Sequence, residues 1–304
     1  MFESLYNSII KSEKNHKVFL ILIVILLYGN TLLNDFAVDD SIVIVKNEFV
    51  TKGFSGISDI LGKDTFRGFF KTEGKDKLVS GGRYRPLSLV LFAIVYEIVG
   101  SNAFFFHLMT ILAFAGLCVL FYKVLGELLK NKFKENSKTI AFIASLLFAI
   151  HPIHTECVAN IKGMDEILAL LFSMGSFWFA LKWTESKSSK QLLLSGLCLC
   201  LGLFAKENSI SFLILIPMGV YLLMDKTFGQ SLKLFFYLLI PCFIFLFCRA
   251  QILGWNPIAG HSYELMNNPF LKYVNGQYVD YTSMEKLGTI MFTLIKYIGL
   301  LFFP

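Results

Sequence analysis

A run of about 20 apolar residues crosses the hydrocarbon core of a bilayer as a helix, and this chain contains one such run after another. Six stretches reach or approach that length: 18–36, 103–122, 166–183, 209–224, 232–249 and 287–304. Two shorter ones, 139–153 and 191–205, stand near the lower limit. A soluble domain of 304 residues would need a polar surface, and 16% charged against 55% hydrophobic residues is thin for one. Phe, at 32 residues, is concentrated in runs that suit hydrocarbon better than water. The composition therefore predicts an all-α integral membrane protein. The first run, Val18 to Leu33, lacks a small-residue cleavage site and reads as a span rather than a signal peptide.

The net charge of +6 does not point to nucleic acid, because no basic stripe is interleaved with aromatics. The lysines sit instead in short clusters between apolar runs, and short loops rich in Lys and Arg stay in the cytoplasm. Such clusters are Lys11, Lys14 and Lys17 in the N-terminal tail; Lys123, Lys130, Lys132, Lys134 and Lys138; Lys182, Lys187 and Lys190; and Lys226 with Lys233. All four fall on one side if Leu87 to Val99, a short run after Pro86, lies at the outer interface instead of crossing. This places eight spans in a single transmembrane domain, 1–304. It has an interfacial helix at 87–99 and external loops at 37–86, 151–166 and 250–286. The first loop carries nine basic residues, which a long loop tolerates. Trp255, Tyr263, Tyr273, Tyr278 and Tyr281 in the last suit a membrane interface.

With this topology four polar clusters meet the outer face, each at a helix end. They are Asp35 with Asp39 and Asp40; Arg83-Tyr84-Arg85-Pro86; His151-Pro152-Ile153-His154-Thr155-Glu156 with Asn160, Lys162, Asp165 and Glu166; and Lys206-Glu207-Asn208. Each also has a plain reading, as solvated loop charges, snorkelling arginines or a polar turn. Charges beside the membrane core are costly and tend to serve function. A carboxylate against an apolar wall suits a general base. Guanidinium groups suit phosphate. The spacing of His151, His154 and Glu156 differs from a zinc-binding helix, and Pro152 breaks the helix that would align them. No metal is expected. The six cysteines, Cys118, Cys157, Cys198, Cys200, Cys242 and Cys248, form no CxxC pair; five lie within apolar runs as small hydrophobes.

The order Asp39-Asp40, Tyr84-Arg85-Pro86-Leu87, His151-Pro152-Ile153-His154-Thr155-Glu156, Gly163-Met164-Asp165-Glu166 and Ala205-Lys206-Glu207 resembles the transmembrane-and-tetratricopeptide-repeat protein O-mannosyltransferases. The chain looks like a bacterial or divergent relative. More distantly it is similar to other protein O-mannosyltransferases and GT-C glycosyltransferases. The resemblance implies a GT-C-like bundle. It also implies transfer of a sugar, mannose or a related hexose, from a polyprenyl-phosphate carrier with inversion, outside the cytoplasm, to a hydroxyl acceptor such as protein Ser or Thr. The base falls on Asp39 or Asp40. No cofactor other than the lipid-linked donor is expected.

In that reading Arg85, Lys206 and Arg83 bind the donor phosphate, while His151, His154, Glu156, Asp165 and Glu207 contact sugar or acceptor or orient the base. The membrane would be a bacterial inner membrane with the site facing out, or the endoplasmic reticulum in a eukaryote. The tetratricopeptide repeats and later helices of the relatives are absent, so a C-terminally truncated chain is expected. The same charges would also serve a transporter or flippase for a lipid-linked sugar, which should show polar residues or broken helices at mid-depth. They would serve a non-catalytic membrane assembly subunit as well.

Overall fold

A computed structural model describes residues 12–71, 82–255 and 268–304. Helix α1, Glu13–Tyr28, runs into a short 3-10 turn, Gly29–Leu33. Five short helical pieces between Ser41 and Phe70 follow. Then come α2, Pro86–Val99; α3, Ala103–Phe133; α4, Ser137–Ile150; α5, Met164–Ser186; α6, Ser189–Ala205; α7, Phe212–Leu223; and α8, Phe228–Leu253. A hairpin of β1, Leu271–Val274, and β2, Gln277–Asp280, precedes α9, Ser283–Leu300.

Local chemistry sets the helix ends. Pro86 opens α2 at a position where its missing N–H costs nothing. Asn102 caps α3 by accepting from the Phe104 amide at 3.2 Å. Thr282 and Glu285 close a reciprocal capping box on α9. At 31 residues α3 is about 46 Å long, more than a bilayer core needs, so its lysine-bearing turns reach beyond the hydrocarbon. A three-residue turn, Lys134–Asn136, folds α4 back against α3.

The helices pack through small residues and polar contacts, as membrane helices do when lipid is as apolar as their side chains. Between α5 and α6 the Ser176 and Ser195 hydroxyls lie 3.1 Å apart, and Ser195 donates to the Ser176 carbonyl at 2.9 Å. A Cβ built on Gly196 of α6 would stand 3.0 Å from Tyr237 of α8. One apolar core joins α1, α2, α3, the N-terminal half of α5 and the short pieces that include Phe49, Val50 and Ile60; another joins α3, α5, α6, α7 and α8.

Helices stand at all eight positions expected to span. Four segments are long and apolar enough to do so by length and composition: Glu13–Leu33, Ala103–Ile150 (which holds both α3 and α4), Ile161–Ser186 and Phe228–Leu253. Helices α2 and α6 and the stretch Glu207–Leu223 are shorter and apolar. The count of eight crossings thus rests on hydropathy and lysine placement. The all-α expectation holds, with one small antiparallel sheet within the loop expected at 250–286, where Val274 pairs with Gln277 across Asn275 and Gly276. Both turn residues have positive φ, 51° and 87°, the conformation that Asn-Gly adopts in two-residue hairpins. That loop also starts later than expected, since α8 continues to Leu253. Tyr263 lies outside the described residues.

The 3-10 turn at the start of α4 and the segment after its end should lie on opposite sides of the membrane. Single cysteines at Asn136 and Thr155, both exposed, should react with a membrane-impermeant thiol reagent from opposite sides of sealed vesicles. Labelling of both from one side contradicts the topology.

Candidate active site

The segment from Leu61 to Thr65 clamps the chain just before α2. The Tyr84 hydroxyl donates to the Leu61 carbonyl at 2.8 Å. The Arg83 amide donates to Asp64 Oδ2 at 2.6 Å, and the Arg85 amide to Thr65 Oγ1 at 3.1 Å. The Thr65 amide donates back to the Arg83 carbonyl at 2.8 Å. Gly82, with φ +63°, brings the backbone close enough to Asp64 that an added Cβ would lie 2.9 Å from Oδ2. The clamp fixes Arg85 at the mouth of α2.

From there the guanidinium reaches two other segments. Its Nη1 donates to Asp165 Oδ2 at 3.0 Å, while Nε and Nη2 donate to the two carboxylate oxygens of Glu207 at 2.9 and 2.7 Å. The Glu207 pair is the two-pronged geometry that arginine provides and lysine does not. Burial pushes the Glu207 carboxyl up, but the Arg85 hydrogen bonds, its own backbone amide and the charges of Arg85 and Lys206 together hold the group below its ordinary value. Burial likewise works against the Arg85 cation, and Glu207 and Asp165 more than restore it. Beside this network Lys206 pairs with Glu166.

Gly163 ends the tight turn before Asp165 and Glu166. A Cβ there would meet the Cys157 carbonyl oxygen at 2.4 Å, so the turn admits only glycine without movement. The same turn receives Asp40. The Lys162 amide donates to Asp40 Oδ1 at 2.8 Å, and the Ala37 amide to Oδ2 at 3.1 Å. Asp40 is buried, which raises its carboxyl above the ordinary value against the pull of the two amides. Asp39, next to it, is only half-buried.

Four of the expected clusters therefore converge: Asp40, Arg85, Asp165 with Glu166, and Lys206 with Glu207. The other expected residues lie outside this network, although His154 lines the cavity beside it. Arg83 lies over the Phe66 ring, 5.4 Å from its centroid. The His151 ring accepts from the Ile153 amide at 3.2 Å through Nδ1 and reaches the Leu301 carbonyl at 3.1 Å through Nε2. His154 packs on Phe148 with ring centroids 4.3 Å apart, and burial, with His151 nearby, pushes its pKa down to about 4. A neutral imidazole does not attract phosphate as a cation. Glu156 is exposed and makes no hydrogen bond with either histidine. Among the described residues no three His, Cys, Asp or Glu side chains are grouped to hold a metal ion.

A cavity of about 300 Å³ opens beside Glu166 and Asn208. Phe114, Leu117, Phe148, Ile167, Leu170 and Phe212 give it an apolar wall. Sequence reasoning expected a lipid tail to lie between helices but did not name the residues of this groove, and it missed the Asp64–Thr65 clamp and the Lys162 amide. The Asp64-Thr65 pair is a local turn signal, with the Phe66 amide on Asp64 Oδ1 at 2.8 Å, but nothing in the sequence assigns its partner segment.

A helical membrane protein with a charged network at its helix ends, beside an apolar groove, is the class that the fold and site define. Residues 85–255 match the family model described as dolichyl-phosphate-mannose-protein mannosyltransferase, and the chain belongs to that family. A protein O-mannosyl-transferase of Caenorhabditis elegans is 28% identical over 274 residues, covering 86% of this chain and 36% of that protein. Human protein O-mannosyl-transferase TMTC1 is 34% identical over 152 residues, covering 50% of this chain and 16% of its own. Human protein O-mannosyl-transferase TMTC2 is 32% identical over 196 residues, with shares of 62% and 22%. The chain thus spans well under half the length of these relatives. No solved structure matches it.

Removing Arg85 leaves Asp165, whose side chain is 6% exposed, as an uncompensated buried charge. Arg85→Met should therefore destabilise the protein by about 3–5 kcal/mol in reversible unfolding. Asp165→Asn in that background should recover part of the loss. A thermodynamic cycle with no coupling between the two positions would show that the pair is not formed.

Proposed function

We propose that the chain is the catalytic membrane domain of an inverting glycosyltransferase that moves mannose, or a related hexose, from a polyprenyl-phosphate carrier to a serine or threonine hydroxyl of a protein. The observation that carries this reading is that Asp40 and Arg85 meet the turn that bears Lys162, Asp165 and Glu166, that Glu207 closes on Arg85, and that Glu166, paired with Lys206, lines an apolar groove. Such a substrate asks for this combination: hydrocarbon contact for the prenyl chain, cations for the phosphate and carboxylates for the sugar and the attacking hydroxyl. The matched family and the names of the relatives support the sugar and the protein acceptor.

In this reading the prenyl chain lies along the groove and its phosphate meets Lys206 at the mouth. The phosphate takes the place of Glu166 on Lys206 and of Glu207 on Arg85. Those two carboxylates are 41% and 50% exposed and turn readily into water, whereas Asp165 is buried and stays on Arg85. The acceptor hydroxyl attacks the sugar carbon from the face opposite the phosphate, and the sugar–oxygen bond breaks with its electrons leaving on the phosphate. Lys206 and Arg85 stabilise that growing charge. Asp39 takes the hydroxyl proton, as the base of an inverting glycosidase does from water. Asp40 holds the loop through the Lys162 and Ala37 amides and positions Asp39. The reaction takes place on the face opposite the lysine-rich loops.

The assay is transfer of radiolabelled mannose from polyprenyl phosphate to a Ser/Thr peptide by membranes containing the intact protein. Asp39→Asn keeps the shape and removes the base, so turnover should fall by about 10²–10⁴-fold with donor affinity nearly unchanged. Lys206→Gln should instead weaken donor binding. Normal turnover in Asp39→Asn, Asp40→Asn and the double variant would overturn the mechanism.

A further inference from the structure

The helices that carry the candidate site at one end enclose a second cavity at the other. It measures about 870 Å³ and lies between the start of α1, the C-terminal half of α3, the start of α4 and Trp178 of α5. That volume is within the range of small-molecule sites. Five lysines line it, Lys17, Lys123, Lys130, Lys134 and Lys138, against Glu13, Glu127 and Glu135.

The carboxylates leave part of this charge unmatched. Lys17 and Lys138 share Glu13, while Lys130 and Lys182 share Glu127. Lys123 lies over the Trp178 ring, 5.1 Å from its centroid, and Lys182 stands 4.7 Å from the same ring. Neither Lys123 nor Lys134 has a carboxylate partner among the described residues. The lysine distribution assigns this face to the cytoplasm, where the inner leaflet carries anionic lipid.

We propose that this cavity binds a phosphate-bearing anion through Lys123 and Lys134, with Trp178 as its amphipathic wall. Basic pockets between membrane helices on the cytoplasmic side suit lipid phosphate headgroups, and a soluble phosphate ester presents the same group. The site is separate from the sugar-transfer reading and stands whether or not that reading holds. Its position against α3, α4 and α5 also makes it a point from which occupancy bears on the packing of the helices that hold the candidate active site.

The test is thermal unfolding of the intact protein in detergent, titrated with phosphatidylglycerol, phosphatidylcholine or glycerol 3-phosphate. Phosphatidylglycerol should raise Tm saturably and phosphatidylcholine should not. The half-saturating concentration should rise roughly 30-fold in the double variant Lys123→Gln/Lys134→Gln. Each single variant should show about a fivefold rise, which keeps the test open if the double variant fails to fold. Lys132→Gln, at an exposed lysine outside the cavity, should behave as the natural chain. Stabilisation by glycerol 3-phosphate as strong as that by phosphatidylglycerol, and equally lost in the variants, supports the site with a soluble occupant. The proposal is overturned if neither phosphate probe raises Tm, or if both do so equally in the natural chain and the variants.

Discussion

Arg85 ties together three segments that are far apart in sequence. Its guanidinium spends one nitrogen on Asp165, 80 residues away, and two on Glu207, 122 residues away. Ion pairs taken out of water recover their desolvation cost only when the geometry is good and the remaining hydrogen bonds are filled; Asp165 Oδ1 has no hydrogen-bond partner among the described residues, so the geometry carries this pair. Here the backbone clamp at Asp64 and Thr65 aims the arginine before the carboxylates meet it. The glycine turn at Gly163 aims Asp165, and the Lys162 amide of that turn holds Asp40. Loss of the arginine would leave a buried carboxylate and release the turn to which the aspartate loop is tied.

The bilayer explains why so much polar chemistry gathers in so small a place. The apolar helices pack by close approach at glycine and serine, as at Gly196 and the Ser176–Ser195 pair, and leave little room for charge within the bundle. Titratable groups are pushed to the helix ends, where the two faces acquire different characters. One collects carboxylates, an arginine and two histidines beside an apolar groove. The other collects lysines around a polar cavity, with Trp178 as its aromatic wall. The same helices, α3, α4 and α5, connect the two.

Much of this was legible in the sequence because hydrocarbon imposes a length rule and lysines mark a side. Helices stand at all eight expected positions, and the stretch after Pro86 expected at the interface is a helix of 14 residues. The polar clusters were legible as neighbours because the expected topology puts them at helix ends on one face. Their pairing was not. Arg85 and Lys206 read in sequence as cations for the donor phosphate, and only the folded chain gives them Asp165, Glu207 and Glu166 as partners. His154 read as a polar contact; it lines the groove, packed on Phe148 and with its charge suppressed by burial. The Asn275-Gly276 turn was present as a local signal but lay in a stretch read as loop. The short helices between Ser41 and Phe70 carry too few residues for a periodic pattern and are set by what they pack against.

The central claim is that one groove and one charged network receive a lipid-linked sugar together. It is tested most directly by a cryo-EM structure of the intact protein with a non-transferable phosphonate analogue of polyprenyl-phosphate mannose. The account predicts the phosphonate between Lys206 and Arg85, the prenyl chain along Phe114, Phe148 and Leu170, Glu207 turned away from Arg85, and the sugar facing Asp39. An analogue seated elsewhere, with Arg85 still closed on Glu207 and the groove unoccupied, would contradict it.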